Sequence, residues 1–268
     1  MTPIRLILSD IDGTILDNHH QVDPDLIDTM PALKERGIPF ILASARSPLG
    51  MAPIAQELGV SHFPIAAYNG ALILQGENIL FQHPLITQEI EDLLTFLQDY
   101  FPTVSINLYS GSDWLTDTFD HWSQIEASIT GETPLIQPDL YQTLERPIHK
   151  LLLIDEADRI QELYQALQEQ DFPQTAFYLS KDNYLEVTAR PVSKEQALRE
   201  LAKFYQVPLE ATMTLGDNFN DLPMIQLAGL GVAMGNAPLQ VQEQANFVTS
   251  PNHQHGVARA IHQLVLQD

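Results

Sequence analysis

Two carboxylates one residue apart, Asp10 and Asp12, stand in Ser9-Asp10-Ile11-Asp12-Gly13-Thr14, directly after the apolar run Ile4–Leu8. On an extended chain alternate side chains point the same way, so both acids can share one face. Like charges that close repel, and the economical remedies are a bound cation or a shared proton. Gly13 then allows a sharp turn. The same residues would also serve as a plain turn in which Asp and Gly cap the next segment. A second polar cluster, Gly216-Asp217-Asn218-Phe219-Asn220-Asp221, follows the apolar run Thr212–Leu215. All-oxygen side chains at that spacing suit magnesium rather than zinc. Read as a helix start, Asn220 or Asp221 would instead cap free amides.

Hydroxyl and cationic groups lie between these two clusters. Ser44 and Arg46 follow the apolar run Ile38–Ala43, and Lys194 sits in Pro191-Val192-Ser193-Lys194-Glu195. A lone lysine is ordinarily a solvated surface residue. Beside a strongly acidic site it becomes the fixed cation that a phosphate needs.

The elements that must position these groups alternate between strand and helix. Asp23-Pro24 starts a helix with a carboxylate N-cap and proline at its first position, and Leu26, Ile27, Met30 and Leu33 share one face. Pro31 conflicts with that helix, since it removes a hydrogen bond and bends the chain. A strand over Ile38–Ala43 and a helix over Pro48–Leu58 follow, then two short strands, Ile65–Ala67 and Ala71–Leu74, around a turn at Asn69-Gly70. After Ala189 the same style returns, with helices at Gln196–Tyr205, Asp221–Leu227, Val241–Ala245 and Val257–Leu266, and strands at Thr212–Leu215 and Gly231–Met234. Strands alternating with helices imply right-handed crossovers and a doubly wound, Rossmann-like α/β core with a parallel sheet. Ligands bind outside the carboxyl ends of such strands, where Asp10, Ser44 and Asp217 fall.

Between His83 and Ala189 the pattern changes. A long helix, Thr87–Tyr100, is followed by paired strand-like runs and two further helices, His121–Ile129 and Glu156–Gln170. The expected organisation is therefore a core domain over 1–82 and 190–268, with an inserted α+β domain over 83–189. The aromatic residues Tyr109, Trp114, Trp122 and Tyr184 of that insertion read first as packing and second as surfaces for stacking on a ligand.

Composition narrows the function. Thirteen Lys and Arg against 35 Asp and Glu give a net charge of −22 over 268 residues. Such a field repels nucleic acid and anionic membranes, whose binding requires many phosphates to be neutralised. A small anionic substrate remains compatible if cations concentrate locally, and a divalent metal does this best. The absence of cysteine excludes disulfides, thiolate metal sites and cysteine nucleophiles. No membrane-length apolar run or secretory leader is evident, so the expected location is the cytoplasm. Gly229, Gly231 and Gly235 miss the dinucleotide-binding spacing by one place. The pairs His19/His20 and His253/His255 lie in polar loops without evident co-ligands.

Taken in order, Ser9–Thr14, Ala43-Ser44-Ala45-Arg46, Ser193-Lys194 and Gly216–Asp221 resemble the haloacid dehalogenase-like hydrolases. More closely, the chain resembles their Cof-type phosphatases with a large α/β cap of the C2B type, to which Tyr68-Asn69-Gly70-Ala71 and Tyr184-Leu185-Glu186-Val187 also correspond. The branch often has glycine where this chain has Ala45 and Glu195, which bears on local loop geometry. The resemblance implies a magnesium-dependent phosphatase acting on a small phosphate ester. In it Asp10 is nucleophile and metal ligand, and Asp12 is general acid and base that also binds metal through its carbonyl. Ser44, Lys194 and Asn220 hold the phosphate, Arg46 and Asn69 lie near phosphate or substrate, Asp217 binds metal, and Asp221 supports the metal directly or from behind. The same fold also hosts phosphomutases and catalytically silent binding proteins. The mutases carry a small helical cap between the first two motifs, and Gly13–Ser44 has no room for one.

Overall fold

Short apolar runs that end in polar residues define the sheet. In the computed structural model, which describes residues 2–267, β1 (Leu6–Ser9) is buried at every position. It is followed by α1 (Pro24–Glu35), β2 (Phe40–Ala43), α2 (Pro48–Glu57), β3 (Ile65–Ala67), β4 (Leu72–Gln75) and β5 (Asn78–Gln82). The next stretch holds α3 (Thr87–Tyr100), β6 (Ser105–Ser110), β7 (Asp113–Thr116), α4 (His121–Thr130), β8 (Leu135–Ile136), β9 (Lys150–Ile154), α5 (Ala157–Gln168), β10 (Thr175–Lys181) and β11 (Tyr184–Ala189). The chain closes with α6 (Lys194–Phe204), β12 (Thr212–Gly216), α7 (Leu222–Leu227), β13 (Leu230–Ala233), α8 (Leu239–Gln242), β14 (Phe247–Val248) and α9 (Gly256–Leu264).

Two compact units result. One comprises Met51–Phe81 with the segments before Ser47 and after Val192; the other is Gln82–Val192 together with Ser47–Gly50. The first unit is built on a sheet ordered β14-β13-β12-β1-β2-β3-β4-β5. From β14 to β3 neighbouring strands are parallel, and β4 returns antiparallel to β3. This is the expected doubly wound α/β core, extended at its edges by β5 and β14. Strand β1 lies between β2 and β12, with Ser9 opposite Leu42 on one side and Leu215 on the other. The strand order reverses there, where ligands bind in such sheets. Leu198 and Leu201 of α6 and Met224 of α7 pack with Leu6, Leu8 and Ile41 of the sheet.

Helix α1 begins as its sequence requires, with the Asp23 carboxylate accepting from the Asp25 amide. It then continues through Pro31. Pro31 is exposed while Leu26, Thr29, Met30 and Leu33 are buried, so the ring faces away from the packed side.

The second unit is α+β, with a sheet ordered β10-β11-β9-β6-β7-β8. Side chains alternate between the two faces of its central strands. Leu151 and Leu153 of β9, with Leu185 and Val187 of β11, pack against Leu93, Leu94 and Leu97 of α3 and Ile160 and Leu163 of α5. Lys150 and Glu186 fall on the opposite face, where Lys150 pairs with Glu186 at 3.3 Å. Tyr109 and Trp114 are buried and stacked on each other, and Tyr184 donates to Glu126 of α4 at 2.8 Å. These aromatics are committed to packing inside their own unit, and Trp122 is half-buried.

His149 precedes β9 and is 1 % exposed. Its Nδ1 accepts from the Gly111 amide at 3.1 Å, and its Nε2 donates to Gln82 Oε1 at 3.3 Å. Burial lowers its pKa from 6.5 to about 4. The folded chain therefore refuses a proton that the unfolded chain accepts below pH 6.5. Stability from this neutral imidazole is complete above that pH and lost as pH falls toward 4. His149→Gln keeps an acceptor and a donor but does not titrate. Urea denaturation from pH 7 to 4 is expected to show the wild type losing up to about 1.4 kcal/mol per pH unit more than the variant.

Candidate active site

Three strand ends converge at the middle of the first unit's sheet. Asp10 follows β1, and its amide donates to Leu215 O at 3.0 Å, extending the β1–β12 ladder by one bond. Ser44 follows β2 and donates from its amide to Ala66 O at 3.0 Å. Asp217 follows β12. The fixed cation comes from the first turn of α6, whose N-cap Ser193 accepts from the Gln196 amide.

Lys194 organises these groups. Its ammonium donates to Asp10 Oδ1 at 2.5 Å and to Asp221 Oδ1 at 2.6 Å, and its side chain is 1 % exposed. The other Asp221 oxygen accepts from the amides of Asp217 at 2.9 Å and Asn218 at 3.0 Å. Both oxygens of Asp221 are thus engaged by protein donors, so it supports the loop and the lysine rather than presenting a free edge. Thr14 Oγ1 donates to Asp217 Oδ1 at 3.0 Å. Two glycines make the close approach possible. Gly13 sits at φ +80°, and a Cβ there would overlap the Asp217 carboxylate; a Cβ on Gly216 would overlap Asp221.

The charge balance shows what this arrangement can hold. Ligand oxygens of Asp10, Asp217 and Asp221 lie within 4.8 Å of one another, with one ammonium among them. Burial raises the Asp10 pKa well above its ordinary value, only partly opposed by Lys194 and reinforced by Asp221. Burial, then the Asp221 charge, raises Asp217 from 3.8 to about 6. Burial alone would lower the Lys194 pKa, but Asp10 and Asp221 outweigh it and hold the ammonium above its usual range. A buried oxygen-only cluster with more anions than cations fits a hard divalent cation, which would return the carboxylates to their ionised form.

Asp12 does not join this cluster. The strand ends at Ser9 and the chain curls, with the amides of Thr14, Ile15 and Leu16 all donating to Ile11 O. Asp10 and Asp12 are therefore not alternate members of one extended segment, and the expected repulsion between them is relieved by geometry. The Asp12 side chain, 45 % exposed, meets Arg46 in a bidentate pair: Nε to Oδ2 at 2.8 Å and Nη2 to Oδ1 at 2.6 Å. Ser44 Oγ accepts from the Arg46 amide at 3.2 Å. The left-handed turn at Tyr68 and Asn69, φ +53° and +56°, donates its amides to Arg46 O and Ser44 O. Asn69 is buried beside Ser44, whereas Asn220 is exposed on the 217–221 loop.

A second group of possible ligands, Asp23, Asp25 and His255, also comes together. His255 Nδ1 lies 2.8 Å from Asp23 Oδ1 and 3.4 Å from Asp25 Oδ2, so this histidine does have carboxylate neighbours, which the sequence did not suggest. Both acids already serve the N-terminus of α1, whose dipole disfavours a cation, and the set is a surface ion pair. Thr14, the threonine that touches Asp217, lies within the first motif, where nothing in the spacing marks a contact 203 residues away.

Removing the ammonium tests the balance. In metal-free buffer at pH 7.5, Lys194→Met is expected to cost about 3–5 kcal/mol in urea denaturation, because the buried carboxylates lose their counterion. The deficit should shrink as pH falls and the carboxylates protonate. A cost that does not depend on pH would mean lost packing rather than lost charge.

With this geometry, comparison with known proteins is direct. A family model described as haloacid dehalogenase-like hydrolase matches residues 7–261. A provisionally named phosphatase of Haemophilus influenzae is 35 % identical over 256 residues, 95 % of each chain. Phosphatase YwpJ of Bacillus subtilis is 29 % identical, covering 98 % of this chain and all of its own. The crystal structure of a Thermotoga maritima protein superposes with a TM-score of 0.90 at 26 % identity, covering 99 % of this chain and 98 % of that one. A haloacid dehalogenase-like hydrolase from Bacteroides thetaiotaomicron gives 0.89 at 27 % identity, covering 97 % and 99 %. By the match across its length and by the strand-end carboxylates around Lys194, the chain belongs to the haloacid dehalogenase-like hydrolase family.

Proposed function

We propose that this hydrolase is a magnesium-dependent phosphatase that cleaves small phosphate monoesters through a phosphorylated Asp10. The observation that carries the reading is Asp10 itself: a buried carboxylate at the end of the central strand, held by a buried ammonium and flanked by Asp217.

Asp10, Asp217 and the Asp12 carbonyl would hold the magnesium ion. When bound, the ion supplies positive charge that offsets repulsion between carboxylate and phosphate. The Asp10 carboxylate needs no base to activate it, since its ionised form is the nucleophile. Lys194, the Ser44 hydroxyl and the exposed Asn220 amide bind phosphoryl oxygens and set the line of attack. An Asp10 oxygen bonds to phosphorus as the ester P–O bond breaks, and Asp12 gives its proton to the departing alkoxide oxygen. Water then attacks phosphorus, Asp12 takes its proton, and the Asp10–phosphorus bond breaks to release inorganic phosphate. In the arrangement described, Arg46 occupies both oxygens of Asp12. For Asp12 to carry a proton the guanidinium must release at least one of them, and an incoming phosphate offers Arg46 an alternative bidentate partner.

Substrates of the expected class are sugar phosphates, nucleotides or cofactor phosphates, with the inserted unit acting as a cap that selects among them. Two relatives fit such a range by name: an HMP-PP phosphatase of Yersinia pseudotuberculosis, and the 5-amino-6-(5-phospho-D-ribitylamino)uracil phosphatase YcsE of Bacillus subtilis. Among the described residues no helix is long and apolar enough to cross a membrane. A soluble cytoplasmic enzyme acting on metabolites, without nucleic-acid partners, fits that and the net charge of −22.

Two measurements test the reading. Asp10→Asn is expected to lower phosphate release from p-nitrophenyl phosphate by at least about 10³-fold while its circular dichroism matches the wild type. Undiminished hydrolysis would sink the nucleophile assignment. Chelation with EDTA should abolish wild-type turnover, and magnesium should restore it. Isomer interconversion without phosphate release would identify a mutase, and no turnover across a panel of phosphate esters would identify a binding protein.

A further inference from the structure

The turn that carries Asp12 leaves two carbonyls outside its own bonding. Thr14, Ile15 and Leu16 direct their amides to Ile11 O, so Gly13 O and Leu16 O face other partners. Two asparagines from distant loops take them. Asn236, just beyond the carboxyl end of β13, donates from Nδ2 to Gly13 O at 2.9 Å. Asn252, beyond β14, donates from Nδ2 to Leu16 O at 2.8 Å and is itself buried. The two are linked, because the Asn252 amide donates to Asn236 Oδ1 at 2.9 Å. The result is a continuous strap: Gly13 carbonyl, Asn236 side chain, Asn252 backbone, Asn252 side chain, Leu16 carbonyl.

Gly13 follows Asp12 directly and holds a positive φ against Asp217. Its carbonyl orientation therefore helps to fix the direction in which the Asp12 carbonyl and side chain leave the turn. The Asp12 side chain is nearly half exposed, and the Arg46 pair that holds it must give up at least one oxygen before Asp12 can carry a proton. Once the guanidinium lets go, anchoring of the backbone helps to hold the acid–base group in place for proton transfer. An amide is well suited, since one side chain both donates and accepts, whereas an aspartate of the same shape cannot donate.

We propose that Asn236 and Asn252 are positioning residues that hold the Asp12 turn in the geometry required for proton transfer. The inference rests on the acid–base role proposed for Asp12. It makes a distinction that loss of stability alone would not. Protonation of the leaving group matters greatly for an alkyl phosphate and little for p-nitrophenyl phosphate, whose phenolate departs readily. The parameter kcat/KM reports the steps up to transfer onto Asp10, where the acid acts.

The test measures kcat/KM for glycerol phosphate and p-nitrophenyl phosphate in the wild type, Asn236→Ala, Asn236→Asp, the double variant Asn236→Ala/Asn252→Ala, and Asp12→Asn. Because Asn236 is exposed, its variants are expected to fold, with urea midpoints close to wild type. Both single variants should lose about tenfold or more on the alkyl ester and less than about threefold on the aryl ester. Asn236→Asp should be no better than Asn236→Ala. The double variant should show the same selective loss on the alkyl ester, since both substitutions cut one strap. Equal losses on both esters, or none, in Asn236→Ala would overturn the proposal while Asp12→Asn still discriminates between them. If Asp12→Asn does not discriminate, the acid–base reading of Asp12 fails, and the strap's role fails with it.

Discussion

The ammonium of Lys194, buried between Asp10 and Asp221, is the interaction on which the site depends. It joins three parts of the sequence: the end of β1, the start of α6 and the loop after β12. Burying a charge without a partner is costly, so these carboxylates depend on α6 delivering its first residue to the sheet's carboxyl edge. The Ser193 cap fixes where α6 begins, and the packing of Leu198 and Leu201 on the sheet fixes where its axis runs. Asp221 then uses its second oxygen to gather the amides of residues 217 and 218. A single cation thus orders both a nucleophile candidate and the loop that faces it.

Much of this was legible in the sequence because it rests on local patterns. Apolar runs that stop at Ser9, Ala43 and Leu215 mark strand ends, and Asp10, Ser44 and Asp217 follow them. The two-residue strands β8 and β14 were not legible, being too short for any alternation to register. The path of the chain after Asp10 was not legible either. Alternation suggested that Asp10 and Asp12 share a face, but three amides converging on Ile11 O curl the chain and send Asp12 to Arg46. The asparagines at 236 and 252 carried no signal, since each is a single polar residue in a loop and its meaning lies in a partner more than 200 residues away.

Strain and permissive residues concentrate around the same edge. Tyr68 and Asn69 hold left-handed backbone without being glycine, a conformation that persists only where surroundings enforce it. The enforcing bonds are visible, because both amides go to the Ser44–Arg46 segment. Gly13 and Gly216 do the complementary task of letting backbone and carboxylates come closer than a side chain would allow. One loop is thus held by conformations that are costly, and two by residues that remove bulk.

The β1–β12 ladder has a consequence for how the molecule forms. Leu6 pairs with Thr212, and between them lie the whole of the second unit and more than half of the first. No other central pairing in the sheet spans so much chain, and closing such a loop carries a large entropic penalty before any contact compensates for it. The strands on either side of that gap can be laid down early, since β1 meets β2 across a short helix while β12 meets β13 across another. Asp10 and Asp217 come together only when the two halves zip along this seam. Competence for chemistry therefore depends on closing the longest loop in the sheet.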